Sequence, residues 1–197
     1  MAASKNFVIE RGKTFNQSLR WENAGKIVYK SISAVVNTAP MRLTVPLHGV
    51  PDGWRGAVTG HPSIATEENN VRDKDYHELS VIDANTIEIN NINASSFKPY
   101  VSGGFLQYNE PIDLTGYTAR MAVKNKVGGD VLLSLTTANG GIVVDEAADK
   151  ITLLISATDT AALTWSKGVY DLEMVSPGGV VSALLTGTVT VKAEVTT

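Results

Sequence analysis

The chain has 197 residues, is 43% hydrophobic and only 19% charged, carries a formal charge of −3, and contains no cysteine. That length fits one large domain or two small ones, with enough apolar content to bury a core. The absence of cysteine excludes disulfides, thiolate metal sites and cysteine nucleophiles, and the slight acidity without any Lys/Arg cluster argues against a nucleic-acid partner.

The N-terminal stretch MAASKNFVIERGK has no apolar run of signal-peptide length. No window reaches the ~18 apolar residues of a membrane span. The expectation is a soluble product of a cytoplasm with no membrane partner.

In chain order, residues 7–9 are a short strand candidate. Residues 14–21 alternate, with Phe15, Gln17, Leu19 and Trp21 on one face, after a turn at Arg11-Gly12-Lys13. Residues 27–29 and 32–36 are further short strands. The stretch from about 35 to 107 differs in texture. It holds five of the prolines (Pro40, Pro46, Pro51, Pro62, Pro99) and all three histidines. Strands are expected there at 42–45, 56–58, 78–81, 86–89 and 105–108, with a turn at Asp83-Ala84-Asn85, where Asp and Asn side chains bond to nearby backbone. This reads as a small barrel of short strands.

From residue 111 the pattern is most regular. Residues 111–124 read PIDLTGYTARMAVK, a tight turn followed by a strand with Ala119, Met121 and Val123 on one face. Strands follow at 131–136, 142–145, 151–155, 168–174, 180–185 and 188–195. Turns are expected at Gly128-Gly129, Asn139-Gly140 and Pro177-Gly178-Gly179, and a bend at Gly187. Asn-Gly favours the left-handed torsions of a hairpin turn. Turn signals every 8–12 residues mark a sandwich or barrel. Residues 156–163 are the helical exception, with Ser156 as cap and Asp159 at capping-box spacing. The predicted class is all-β, with a discontinuous outer domain (1–35 and 108–197) and an inserted one (36–107).

Candidate chemistry is sparse. His48 and Asp52 read either as an acid/base pair or metal site, or as a turn in which His48 bonds to backbone while Gly49 and Gly53 take special torsions; the second reading is favoured because no further ligand sits at metal spacing. His61 and His77 read as solvated loop residues. Glu67, Glu68, Asp73 and Asp75 supply calcium-type oxygens, but the run lacks the turn glycine and contains Arg72 and Lys74, so a solvated loop is favoured. Asp113, Asp145, Asp171 and Glu173 lie in or beside strands, and nothing pairs two of them across a cleft as glycoside hydrolysis needs. No Gly-x-Ser-x-Gly elbow or phosphate-binding glycine loop is present. Trp21, Trp54, Trp165, Tyr100, Tyr108, Tyr117 and Tyr170 read as core anchors before they read as a sugar platform. No catalytic, cofactor or metal residue is assigned.

The segment Asp113-Leu114-Thr115-Gly116-Tyr117 resembles one found in small β domains of tailed-phage virion proteins. The inserted segment resembles a β-barrel module of phage tail proteins, itself named for its similarity to the first-catalytic-cysteine half-domain of ubiquitin-activating enzymes. The matching stretches are Leu47-His48-Gly49-Val50-Pro51-Asp52-Gly53, then Ser80-Val81-Ile82-Asp83-Ala84-Asn85-Thr86-Ile87-Glu88-Ile89, then Phe97-Lys98-Pro99-Tyr100-Val101-Ser102-Gly103-Gly104. Without cysteine, no ubiquitin chemistry is implied. The outer segments Arg11-Gly12-Lys13-Thr14-Phe15, 113–117, 155–163 and Gly168-Val169-Tyr170-Asp171-Leu172 resemble the immunoglobulin-like N-terminal domain of phage baseplate upper proteins. The resemblance implies an immunoglobulin-like β-sandwich with an inserted small β-barrel. It also implies a non-enzymatic tail, baseplate or fibre-attachment component. Such a subunit docks on other virion proteins, forms a symmetric homo-oligomer and is assembled in the host cytoplasm, with loops at 62–76 and the termini as docking surfaces. The alternative is a carbohydrate-binding module for host-surface recognition, stacking sugars on Trp54 or Tyr100. A hydrolase is a distant third.

Overall fold

The computed structural model describes residues 2–61 and 71–194. The described residues form β1 (Ala3–Ser4), β2 (Phe7–Glu10), β3 (Phe15–Arg20), β4 (Glu22–Ser31), β5 (Ala34–Val36), β6 (Met41–Thr44), β7 (Arg55–Thr59), a 3-10 turn (Asp73–Asp75), β8 (His77–Asp83) and β9 (Thr86–Ile89). The second half adds β10 (Phe105–Pro111), β11 (Thr118–Lys124), β12 (Val131–Thr136), β13 (Ile142–Asp145), β14 (Lys150–Ile155), α1 (Ala157–Ala161), β15 (Lys167–Val175) and β16 (Val181–Lys192). Apart from α1 and the 3-10 turn, the regular structure of the described residues is all β. It divides into two units, Met1–Trp21 with Asp113–Thr197, and Glu22–Ile112.

The outer unit is a two-sheet sandwich. One sheet runs β1-β16-β15-β11-β12 with β2 also on β16, and the other runs β13-β14-β3. The alternation read from the sequence is what packs it: Ala119, Met121 and Val123 of β11 and Tyr170, Leu172 and Met174 of β15 are buried, facing Ile151, Leu153 and Ile155 of β14. Each of the Val, Leu, Ile and Met side chains among them contributes about 1.5–3 kcal/mol on leaving water. Phe7 adds an edge-to-face contact with Phe15 and a tilted one with Tyr170. Helix α1 is capped as expected, Ser156 Oγ accepting from the Asp159 N–H at 3.1 Å, but it spans only Ala157–Ala161.

Gly187 does not break the last strand. β16 runs through it as one 12-residue strand, where two strands with a bend were expected. Residue 195, the end of the second of those, lies outside the described residues. The glycine is there for space: a Cβ would meet the Lys5 carbonyl oxygen at 2.0 Å, where the chain between β1 and β2 crosses it.

The second unit is one sheet, β4-β10-β7-β8-β9-β6-β5. Its two end strands are almost continuous in sequence. Between them the Ile32 N–H bonds to the Gly104 carbonyl beside β10, and the Ser33 N–H to the Thr44 carbonyl of β6. The sheet thereby folds back around a single core of Met41, Leu43, Trp54, Leu79, Ile87, Ile89 and Leu106 among others.

The junctions fall at 21/22 and 112/113, whereas composition and turn cues put them at 35/36 and 107/108. The reason is β4. Residues 27–29 and 32–36 were read as short separate strands, yet Glu22–Ser31 is one ten-residue strand on β10. Its ladder steps from Ile27↔Asn109 to Asn23↔Glu110, leaving residues 24–26 as an unpaired excursion. That bulge destroys the side-chain alternation a sequence reading relies on.

Candidate functional site

The loop carrying His48 is a structural lock. His48 is buried, its Nε2 lies 2.8 Å from the Asp83 carbonyl, and its Nδ1 accepts the Val50 N–H at 3.1 Å. Those two partners define a neutral ring protonated on Nε2. Gly49 and Gly53 take positive φ of 66° and 71°, as the turn reading requires. Asp52, the proposed partner of His48, instead accepts the Val81 N–H at 2.9 Å. The Asp83–Asn85 turn closes the lock. Asn85 accepts from the Leu47 N–H, and the Asp83 carboxylate, held below its ordinary range chiefly by the Asn85 N–H, caps its own turn.

The other histidines depart from expectation. His61 is fully buried, not solvated, and stacks parallel to Tyr100 at 6.1 Å. Burial lowers its pKa. His77 opens β8, half-buried, with Nδ1 3.1 Å from Asn91 Oδ1.

Glu67 and Glu68, half of the candidate calcium run, lie outside the described residues. Asp73 pairs with Arg55 at 2.6 Å and Asp75 with Arg72 at 3.2 Å. Arg55 also forks onto Glu22 at 2.7 and 3.0 Å and lies over the Tyr76 ring at 5.1 Å. Glu22 first and Asp73 second raise its already high pKa, while its burial opposes them. This Arg55-centred network was invisible in sequence, because its members are spread from residue 22 to residue 109, where Asn109 Nδ2 donates to Glu22. Among the described residues no group of three His, Asp or Glu side chains is placed to hold a metal.

The remaining carboxylates serve turns. Asp113 accepts the Thr115 N–H, Glu146 the Gly116 N–H and Asp145 the Ala147 and Ala148 N–H groups. Asp149, at φ 46°, accepts the Leu114 N–H at 3.4 Å. Burial, then the charges of Asp113 and Asp145, push its carboxyl up, against the pull of that N–H. Glu173 pairs with Arg120 across β15 and β11 at 2.7 Å.

The aromatic platform is absent where it was sought. Trp54 is 1% exposed, and its Nε1 donates to the Asn109 carbonyl. Tyr100 Oη lies 2.7 Å from the Ile32 carbonyl and 3.0 Å from the Gly103 carbonyl, which share its single hydroxyl proton. Tyr108 is buried with its hydroxyl on the His48 carbonyl, and Tyr170 donates to Lys5 at 2.8 Å, burial pushing its pKa up to about 12. Trp21 and Tyr117 meet edge to face. Trp165 is half-buried, its carbonyl 3.5 Å from Arg11 Nη2.

Two open hollows lie on the outer unit. One, of about 610 Å³, sits on the outward face of β11 and β15, floored by Ala122 and Ser134 and walled by Arg120, Lys124, Asp171 and Glu173. The other, of about 680 Å³, lies beside β12 and includes Leu133, Leu135, Leu154, Ile155 and Asp159.

The sheet edges differ from one another. On β12, the Thr137 N–H to Ala119 carbonyl bond fixes the phase of the ladder, so Ser134 and Thr136 turn their backbone groups outward. Asn139 meets one group of each: its Oδ1 accepts the Thr136 N–H at 2.8 Å and its Nδ2 donates to the Ser134 carbonyl at 3.0 Å. On β4 the Ile32 N–H to Gly104 bond turns Ile27, Tyr29 and Ser31 outward. Their side chains share a face with Phe105, and Ile27, Tyr29 and Phe105 are 45%, 40% and 39% exposed.

No known family model matches the chain, and no curated protein sequence matches it. Among the described residues no helix is long and apolar enough to cross a membrane.

Proposed function

We propose that the protein is a non-enzymatic structural subunit of a tailed-phage virion, in the tail, baseplate or fibre-attachment region, working by docking on neighbouring subunits. One observation carries the reading: of the three stretches on which the resemblance of the inserted segment rests, the first two are bonded to each other and the third packs Phe97 and Tyr100 on the core that they share. The Leu47–Gly53 stretch is bonded to the Asp83–Asn85 turn through His48 and Leu47, and to Val81 ahead of that turn through Asp52. Tyr100 of the third stretch ties Ile32 to Gly103. Residues that resemble a scaffold module are thus occupied in scaffolding. The outer sandwich is taken as immunoglobulin-like and the subunit as part of a symmetric homo-oligomer, for the same reason of resemblance.

Of the expected docking loops, 62–70 and the extreme termini lie outside the described residues. Residues 71–76 carry the 3-10 turn held by Arg55 and Arg72. Mass spectrometry of purified particles tests the reading: the chain should be present in intact virions at a fixed stoichiometry, and its absence from them would refute it. The glycan alternative loses Trp54, which is buried. It is left with the half-buried Tyr100 and with the hollow of β11 and β15, where a glycan array with the intact protein would reveal it.

A further inference from the structure

We propose that the open edge of β4 is a self-association site, where a second copy pairs antiparallel about a two-fold axis at Tyr29. This rests on the reading of the chain as an assembly subunit and names the surface that joins two copies.

The first ground is hydrogen-bonding supply. Ile27, Tyr29 and Ser31 each turn one N–H and one C=O away from β10. Among the described residues none of these groups meets a partner. On the β12 edge, by contrast, Asn139 takes two of the outward groups of Ser134 and Thr136, the Thr136 N–H and the Ser134 C=O. Exposed edges are normally blunted in some such way. β4 carries blunting devices only in its first half, where residues 24–26 bulge out. Beyond that point the ladder from Ile27 to Ser31 is regular. The lysines of the strand are drawn aside: Lys26 pairs with Glu110 and Lys30 Nζ donates to the Leu47 carbonyl.

The second ground is that the edge complements itself. With Tyr29 opposite Tyr29 of the second copy, Ile27 falls opposite Ser31 and Ser31 opposite Ile27. Every outward N–H then meets an outward C=O, the self-complementarity that a two-fold contact demands. On the intervening positions Lys30 falls opposite Val28, so no two like charges sit directly across from each other. The exposed face gains most. Ile27, Tyr29 and Phe105 of each copy join into one apolar stripe with two tyrosines at its centre, the residue type and position typical of interface hot spots.

The test is sedimentation over a concentration series with the full chain. Wild type should show a concentration-dependent monomer–dimer equilibrium. Tyr29→Lys sets two lysines directly opposite each other across the axis, their Cα atoms about 5.5 Å apart, and should leave only monomer. Tyr29→Glu should do the same. Mixing the two variants should restore a dimer, because opposite charges then meet. Circular dichroism and melting confirm that each variant is folded, as the 40% exposure of Tyr29 leads us to expect. Ser31→Pro deletes an outward N–H without touching the β10 ladder and should weaken the dimer at least tenfold. A wild-type protein that stays monomeric to millimolar concentration overturns the proposal. So does Tyr29→Lys associating like wild type, or a Lys/Glu mixture that stays monomeric. None of these results bears on whether the chain is found in virions, so the two readings fail separately.

Discussion

Replacing Asn139 with alanine isolates the effect of a single side chain on a sheet edge. Its amide accepts the Thr136 and Gly141 N–H groups and donates to the Ser134 carbonyl, at 2.8, 3.0 and 3.0 Å. A hydrogen bond is worth a net ~0.5–1.5 kcal/mol, and water can replace these partners because the residue is exposed, so the low end applies to each. The sum is about 1–2 kcal/mol, a fall in Tm of a few degrees for a chain of this size. Urea denaturation gives the free energy, and hydrogen exchange reads the Thr136 amide directly. We expect that amide to exchange faster in the variant. The freed strand is VLLSLT, with no charge and no proline, so the variant should also associate more readily than wild type. A loss below about 0.3 kcal/mol with unchanged exchange at Thr136 would refute the account of Asn139 as an edge stopper, since that falls under the net worth of even one bond.

Asp149→Asn should stabilise the protein at pH 7, because the raised carboxyl pKa means that the folded state disfavours its charge. The sign follows from linkage: a carboxyl with a raised folded pKa costs stability above its unfolded value and nothing below it. The gain, read by urea denaturation, should therefore vanish as pH falls below about 4. Gly187→Ala should cost on the order of 1–3 kcal/mol, because its Cβ would lie 2.0 Å from the Lys5 carbonyl and the chain there must shift. Gly128→Ala, at φ 73° with open space around it, should cost only the left-handed strain of about 1–2 kcal/mol; thermal melts compare the two, and the larger drop is expected at 187. Trp54→Ala should cost about 3–5 kcal/mol, since the indole is 1% exposed in the second unit's core. A folded, fully stable Trp54→Ala protein in a melting assay would contradict that placement.

Where side chains alternate and turns carry glycine, the fold was legible in the residues. β11 is the clearest case: Thr118–Lys124 was read directly and buries Ala119, Met121 and Val123. The His48 turn was legible too, because Gly49 and Gly53 announce its torsions. β4 was not, since an edge strand with a bulge is held by backbone pairing to β10 and needs no alternating pattern. His61 looked like a loop residue because burial at the end of β7 depends on what packs over it in space. Gly187 looked like a bend because sequence does not distinguish a glycine required for torsion from one required for clearance. The Arg55 network and the Asn139 stopper depend on tertiary proximity and on side-chain direction. Neither leaves a mark in residue order beyond the Asn-Gly turn signal itself.

The register between Glu22 and Pro111 has a topological consequence. The second unit begins and ends on neighbouring strands, so its two attachment points are clamped a strand spacing apart, about 5 Å. For the outer sandwich, the whole of Glu22–Ile112 therefore acts as a short bridge between Trp21 and Asp113, and the entropy of closing that long excursion is carried by the β4–β10 ladder. A body tethered in this way can be lengthened, shortened or exchanged for another with paired ends while the sandwich keeps its own chain path.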